Sequence, residues 1–275
     1  MSSQQTKIAI LGCGWLGLPL AKELVNQGYH VNGSTTDGSK LSEITNIGAQ
    51  GYVVWLEPDL NADYDDSFLD CDVLIMNFPP IRRVDIVDYH QKQFAALIPK
   101  IRVSNVKKIL MVSSTSVYPS TDKILVETDA QNPDKGSGQA LLIVEEMLQN
   151  LENIETTIVR FGGLIGYDRN PARFLFLKDD LKDGSIPVNL IHRDDCIAII
   201  SEIIKQQKWG TVYNACCDEH PTRRAFYSEA ARKSGFAEPI FADNENQSHY
   251  KIIDNSKLKR ELGYRFKYKS PLDCL

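Results

Sequence analysis

Gly12-Cys13-Gly14-Trp15-Leu16-Gly17 stands directly after the apolar run 7–11 and directly before a helical pattern over 16–26. Strand, glycine turn and helix in that order constrain this chain more than any other feature. Gly12 permits the tight turn, Gly14 lets a diphosphate approach the backbone, and Gly17 lets helix and strand pack closely. The helix N-terminus adds N–H groups and a partial positive charge, so Trp15 and Leu16 join the three glycines as candidate dinucleotide contacts. A triphosphate-binding P-loop is excluded, because no Lys-Ser or Lys-Thr pair follows the last glycine. An empty glycine-rich turn is the competing reading, and the flanking strand and helix weigh against it.

Further apolar runs at 30–34, 51–56, 73–77, 108–113 and 156–161 alternate with helix-length segments. Parallel neighbours need crossovers of that length, so the pattern predicts an α/β fold, a doubly wound, Rossmann-like parallel sheet. After Gly166 the pattern weakens. Residues 167–189 mix Pro, Gly and charge, 190 onward returns to a strand and a helix, 211–215 reads as a strand, and 223–234 and 256–262 read as helices. The expected organisation is a dinucleotide-binding core of 1–166 plus 190–216, with a small, discontinuous C-terminal substrate lobe of 167–189 plus 217–275.

The chain has 275 residues, 31 basic against 36 acidic, for a net charge of -5. That balance argues against a nucleic-acid partner. The opening MSSQQTK lacks the basic flank and apolar run of a secretory signal, and no stretch reads as a membrane span, so the expectation is a cytoplasmic chain with no membrane partner. Its six cysteines show no CxxC pair and no His/Cys cluster at ligand spacing, which suits reduced thiols and no metal.

Cofactor choice is read at the end of the second strand, where NAD enzymes place an acid on the adenosine ribose. That position falls on Thr35, within Ser34-Thr35-Thr36, with Lys40 following. Hydroxyls and a lysine suit a 2′-phosphate, so NADP is preferred over NAD, although Asp37 lies close enough to serve a ribose. Asn77 and Phe78, with Pro79 and Pro80 behind them, follow the fourth strand and are assigned to the adenine-side ribose. Adjacent Cys216 and Cys217 read as packing residues on opposite strand faces.

Val112-Ser113-Ser114-Thr115-Ser116-Val117-Tyr118 resembles the fifth-strand signature SS-x-x-VYG of extended short-chain dehydrogenases/reductases, the NAD-dependent epimerase/dehydratase group. Arg160–Gly166, Ile191-His192-Arg193-Asp194-Asp195, Asp254-Asn255-Ser256-Lys257-Leu258 and Leu262-Gly263-Tyr264 are similar to further elements of that family, so the resemblance runs from residue 7 to about 268. It implies NAD(P)-dependent oxidation, reduction, epimerisation or dehydration of a small hydroxylated substrate, often a nucleotide-linked sugar. By the same resemblance Ser113 and Gly162 join the cofactor site, Ser114 orients the substrate oxygen, and Arg169, Arg173 and Phe174 face substrate; His192, the histidine of a family motif, and Tyr118, whose family equivalent is largely structural but whose ring could swing toward the nicotinamide, stand beside Ser114 as catalytic candidates, with Tyr167 a weaker one.

One departure is large. The family's Tyr-x-x-x-Lys pair moves a proton at the substrate oxygen and holds the nicotinamide ribose, and alignment on Pro133 and Glu145 puts Ser137 and Leu141 in those places. Two function classes follow: an atypical enzyme, or a non-catalytic NAD(P)-binding sensor. Monomer and homodimer are both compatible with the sequence.

Overall fold

The structure, a computed structural model, describes residues 6–61, 63–175, 181–242 and 249–275. In chain order the elements are β1 (Lys7–Leu11), α1 (Gly17–Asn26), β2 (His30–Thr35), α2 (Leu41–Asn46), β3 (Gln50–Val53), β4 (Val73–Met76), α3 (Ile86–Val103), β5 (Lys108–Ser114), β6 (Lys123–Leu125), α4 (Gly136–Gln149), β7 (Glu155–Phe161), β8 (Gly163–Ile165), the single-turn α5 (Ala172–Leu175), β9 (Leu190–His192), α6 (Arg193–Gln206), β10 (Val212–Ala215), α7 (Arg223–Lys233), β11 (Lys251–Ile253) and α8 (Ser256–Leu262).

Seven strands form one sheet in the order β10-β7-β5-β4-β1-β2-β3. β1 pairs in parallel with β2 and β4, β2 with β3, and β4 with β5. Residues 8–11 and all of β4 are buried, as continuous apolar runs must be when a sheet is covered on both faces. This is the Rossmann-like α/β fold expected from the alternation of elements. The chain lays down β1, β2 and β3 in one direction, then returns to place β4 on the other side of β1. Strand order therefore reverses between β1 and β4, and the carboxyl ends of those two strands flank the crevice where open parallel sheets bind ligands.

The chain divides into two compact units: Met1–Ser113 with Lys135–Val159 and Ile200–Val212, and Ser114–Asp134 with Arg160–Ile199 and Tyr213–Leu275. In the first, α1 buries Gly17, Leu20, Ala21 and Leu24, a stripe at helical spacing. Gly28 ends that helix, as its position predicts, at φ +89°, with its N–H on the Val25 carbonyl and that of Tyr29 on the Leu24 carbonyl. The buried face of α4 includes Leu141 and Glu145, and the Glu145 carboxylate accepts a 2.5 Å hydrogen bond from the equally buried Ser113 hydroxyl of β5. The third strand is shorter than the 51–56 expected. Asn61 takes the Trp55 N–H on its side-chain oxygen at 3.1 Å and gives its own N–H to the Trp55 carbonyl, which turns 55–61 into a closed loop.

In the second unit β8 pairs with β9 and β6 with β11, both in parallel. Neither pair was expected, because three-residue strands are too short to show a period. Thr222 caps α7 through the Ala225 N–H, and α8 ends at Gly263 with φ +63°. The fully buried Asp195 carboxylate accepts from Tyr264 OH, Lys267 N and Tyr268 N at 2.7, 2.8 and 3.2 Å, which fixes the chain that follows α8. Among the described residues no helix is long and apolar enough to cross a membrane, and no His/Cys/Asp/Glu group is arranged to hold a metal ion.

The β6/β11 pair is fastened at its start by Asp122. One carboxylate oxygen accepts the Tyr250 N–H at 2.8 Å and the other lies 2.5 Å from His249 Nδ1. The Tyr250 bond and then the histidine hold the Asp122 carboxyl below its ordinary value, while Asp122 raises His249 above 6.5. A raised histidine contributes stability in full below the unfolded value and loses it as pH climbs through the folded one. The His249 ring resonances should therefore titrate with a midpoint above 6.5 that falls back towards it in Asp122→Asn; an unchanged midpoint would rule the clasp out.

Candidate functional site

Gly12 is held at both of its backbone polar groups. Its N–H donates to Ser34 Oγ at 2.9 Å, and its carbonyl accepts from Asn77 Nδ2 at 2.9 Å. The adjacent Cys13 N–H reaches the Ser34 carbonyl at 2.7 Å. Gly12 sits at φ +104°, and a Cβ there would lie 2.5 Å from the Asn77 carbonyl oxygen, so only glycine fits. At Gly17 a Cβ would lie 2.1 Å from the Gly12 carbonyl oxygen, which lets α1 start flush against the turn.

Gly14 is different. It is exposed, and apart from its chain neighbours no atom comes within 4 Å of where its Cβ would stand. Beside that open space α1 begins at Leu16 with no side-chain cap and no acid in its first turn. A helix start with these properties attracts an anion through its N–H groups and its dipole, so the turn fits the diphosphate of a dinucleotide. Trp15 is half-buried and Leu16 buried. Burial pushes the Cys13 thiol up to about 12, leaving it a neutral packing group, and Gly33 makes room for its sulfur.

At the end of β2, Ser34 is buried with its hydroxyl on Gly12, so its side chain shapes the turn. Thr35 Oγ1 accepts the Asp37 N–H, while Thr36 and Lys40 are exposed. The Asp37 carboxylate is engaged by the Ser39 hydroxyl and N–H at 2.7 and 3.0 Å, bonds that hold its pKa below the ordinary value. Asn77 is the clamp already described. Phe78 stacks on Phe94 at 5.1 Å and meets the edge of His90 at 5.6 Å. Both side chains assigned to a ribose thus hold the turn and pack on α3. The sequence reading missed His90 and Gln93, which back this loop: His90 Nδ1 pairs with Gln93 Oε1, and Gln93 Nε2 donates to the Leu56 carbonyl at 2.7 Å. Their spacing with Phe94 and Leu97 on one helical row was the available signal.

Ser113 is engaged by Glu145, as shown above, and so acts from β5 as an anchor for α4. α4 contains neither tyrosine nor lysine; Ser137 is half-buried and Leu141 buried, one turn and two turns before Glu145 in reverse order.

In the second unit Ser114 is half-buried and accepts the Ser116 N–H at 3.1 Å, which leaves its own proton to donate. Tyr118, the acid/base candidate, is enclosed. It is 0% exposed, donates to Asn214 Oδ1 at 2.6 Å and accepts from Arg160 Nη1 at 2.7 Å; burial, only partly offset by Arg160, pushes it up to about 12. Arg160 also donates to the Glu127 carbonyl, and the Glu127 carboxylate accepts the Asn214 N–H, so Tyr118 is part of an internal lattice.

His192 is also packed. Its Nδ1 accepts the Asp194 N–H at 3.2 Å, which makes the ring neutral despite an Asp194 carboxylate oxygen 3.7 Å away, and burial holds its pKa below 6.5. Its ring lies 4.2 Å from that of Tyr268, and a Cβ on Gly166 would stand 2.4 Å from Nε2, which is why glycine is needed at 166. Tyr167, exposed, donates to Asp194 at 2.7 Å. Gly162 is buried, its α-carbon face against the Asn189 carbonyl. Arg169 and Arg173 are exposed; the Phe174 side chain lies outside the described residues.

A glycine-turn Rossmann fold with an open helix start defines a dinucleotide-binding protein, and residues 12–206 match the NAD(P)H-binding family, to which the chain belongs. It is 35% identical to Protein YeeZ of Escherichia coli (strain K12) over 268 residues, 97% of each chain. The fold is shared with a UDP-glucose 4-epimerase from Thermotoga maritima solved with UDP-glucose, at TM-score 0.76 and 17% identity, covering 98% of this chain and 96% of that one. It is likewise shared with a UDP-glucuronic acid 4-epimerase from Bacillus cereus in complex with UDP-glucuronic acid and NAD, at TM-score 0.75 and 20% identity over the same shares. The family shown is thus the NAD(P)H-binding one, and the likeness to the epimerases is one of fold.

Asn77→Ala removes the bond that fixes the Gly12 carbonyl. NADPH affinity in a fluorescence titration should fall roughly tenfold, the value of one such bond; wild-type affinity in the folded variant would show that the clamp is dispensable.

Proposed function

We propose that the chain binds NADP(H) in preference to NAD(H) at the carboxyl ends of β1, β2 and β4, and applies it in oxidoreductase- or epimerase-type chemistry to a small hydroxylated substrate of nucleotide-sugar-like character. The observation that carries this reading is the open space at Gly14 beside the uncapped start of α1. In this reading the backbone from Gly14 to Gly17 holds the diphosphate, and Ser34 and Asn77 act through Gly12, whose N–H and carbonyl they fix. Thr35, Thr36 and Lys40 take the 2′-phosphate, which is favoured because Asp37 is occupied by Ser39. The bound nicotinamide supplies a hydride donor or acceptor. Ser114 gives its proton to a hydrogen bond with a substrate oxygen, and Arg169 and Arg173 offer guanidinium forks to a phosphate or carboxylate. Residues 167–189 and 217–275 form the substrate lobe, and the chain works in the cytoplasm.

The Tyr-x-x-x-Lys pair is replaced by Ser137 and Leu141, and His192 and Tyr118 are too enclosed to substitute for it. General acid/base help is worth roughly 10² to 10⁴ in rate, so its loss slows chemistry and leaves binding intact. The same absence from α4 favours a second reading, a protein that binds NAD(P) and senses its state without turnover.

Nicotinamide absorbance, followed together with chromatography of the sugar after nucleotide sugars are added to protein with NADP(H), separates the two: a substrate-dependent absorbance change or a converted sugar supports the enzyme, and neither across the class supports the sensor. Lys40→Ala should weaken NADPH about tenfold or more and leave NADH nearly unchanged, as expected for a charge-assisted bond to phosphate; equal losses would remove the NADP preference.

A further inference from the structure

We propose that Cys217 and Cys274 are a redox pair that closes reversibly to a disulfide when the protein meets a peroxide. Both lie in the second compact unit. Cys217, two residues beyond β10, is fully buried, and its N–H donates to the Leu190 carbonyl of β9 at 2.8 Å. Cys274 belongs to the 3₁₀ turn Pro271–Cys274 and is half-buried, packed with Leu190 against Ile165, Val188 and Phe226. The Cys217 segment and the turn that carries Cys274 are therefore both set against β9. The two segments are tied again where the Glu219 N–H donates to the Lys269 carbonyl at 3.0 Å, and the Cys217 thiol feels that of Cys274, which itself donates to the Ser270 carbonyl at 3.7 Å.

The turn that carries Cys274 is well held. Ser270 Oγ accepts the Leu272 N–H, and the Asp273 carboxylate accepts the Ser270 N–H at 3.0 Å. Cys216 is not a competitor for the bond, since its thiol donates to the Ile253 carbonyl at 3.2 Å, on the other face of the chain. The neighbouring Cys274 thiol and then burial hold Cys217 in its protonated form, while Cys274 is the one of the two that solvent reaches.

The chemistry balances with hydrogen peroxide as the oxidant. The Cys274 sulfur attacks one peroxide oxygen, the O–O bond breaks, and the leaving hydroxide takes the thiol proton to become water, leaving a sulfenic acid. The Cys217 sulfur then attacks the sulfenic sulfur, an S–S bond forms, the S–O bond breaks, and the departing hydroxide takes the Cys217 proton as a second water. Two electrons pass from the sulfurs to the peroxide, and a dithiol reductant reverses the change. The bond joins the 3₁₀ turn covalently to the segment after β10, 57 residues earlier, so the oxidised protein should melt at a higher temperature than the reduced one.

The test is peptide mapping by mass spectrometry of the full chain after treatment with hydrogen peroxide and alkylation of remaining thiols. A dithiothreitol-sensitive link between the peptides holding Cys217 and Cys274 is expected, retained in Cys216→Ala and lost in Cys217→Ala and Cys274→Ser. Cys274→Ser, at a half-buried turn, serves if Cys217→Ala does not fold. Cys274 recovered as free thiol or sulfinic acid in folded wild-type protein, or a link that survives Cys217→Ala, would overturn the proposal.

Discussion

Both peptide groups that flank Gly12 are gripped: Ser34 on β2 takes the Gly12 N–H and Asn77, just past β4, donates to the Gly12 carbonyl. The left-handed backbone this requires is open to glycine, and the contact at 2.5 Å from the Asn77 carbonyl forbids any Cβ. Everything that gives the turn chemical meaning depends on that grip. It fixes where α1 begins, keeps Gly17 against the turn, and leaves Gly14 facing open space at the point where strand order reverses. A helix start with loosely held amides would reorganise on meeting an anion; here the amides are oriented beforehand.

The second unit uses buried polar groups differently. Arg160, Tyr118, Glu127 and Asn214 are hydrogen-bonded to one another, with Asn214 Nδ2 left without a partner among the described residues, and Asp195 is bonded to the backbone of 267–268. Removing one partner from such a lattice leaves the rest desolvated and unpaired, which makes it a device for a unique fold. The family-like residues Tyr118 and His192 are absorbed into this scaffolding, whereas Ser114 keeps a hydroxyl proton to give. Motif resemblance names these residues along the chain and says little about which side chains the fold encloses.

The central sheet was legible because β1, β4 and β5 are uninterrupted apolar runs and because the glycine turn sits between a strand and a helix of adequate length. Helix ends at Gly28 and Leu262 were legible for the same local reasons. The pairs β6/β11 and β8/β9 were not, since each brings together segments separated in sequence and only three residues long. Nor does a single sequence reveal that Ser34 and Asn77 serve the turn itself, that Ser113 belongs to Glu145, or that Ser39 occupies Asp37. Those roles arise from contacts across 22, 65 and 32 residues, and in the last case from a local turn whose direction the residue types leave open.

The most direct measurement is calorimetric titration of NADPH into Gly14→Asp beside the wild-type protein. A carboxylate placed in the open space would repel the diphosphate and fill its approach, a penalty of several kcal/mol for like charges brought together. The account predicts measurable heat and saturation for the wild type and at least a hundredfold weaker binding for a variant whose far-ultraviolet spectrum shows an intact fold. Equal affinity in the two proteins would contradict it.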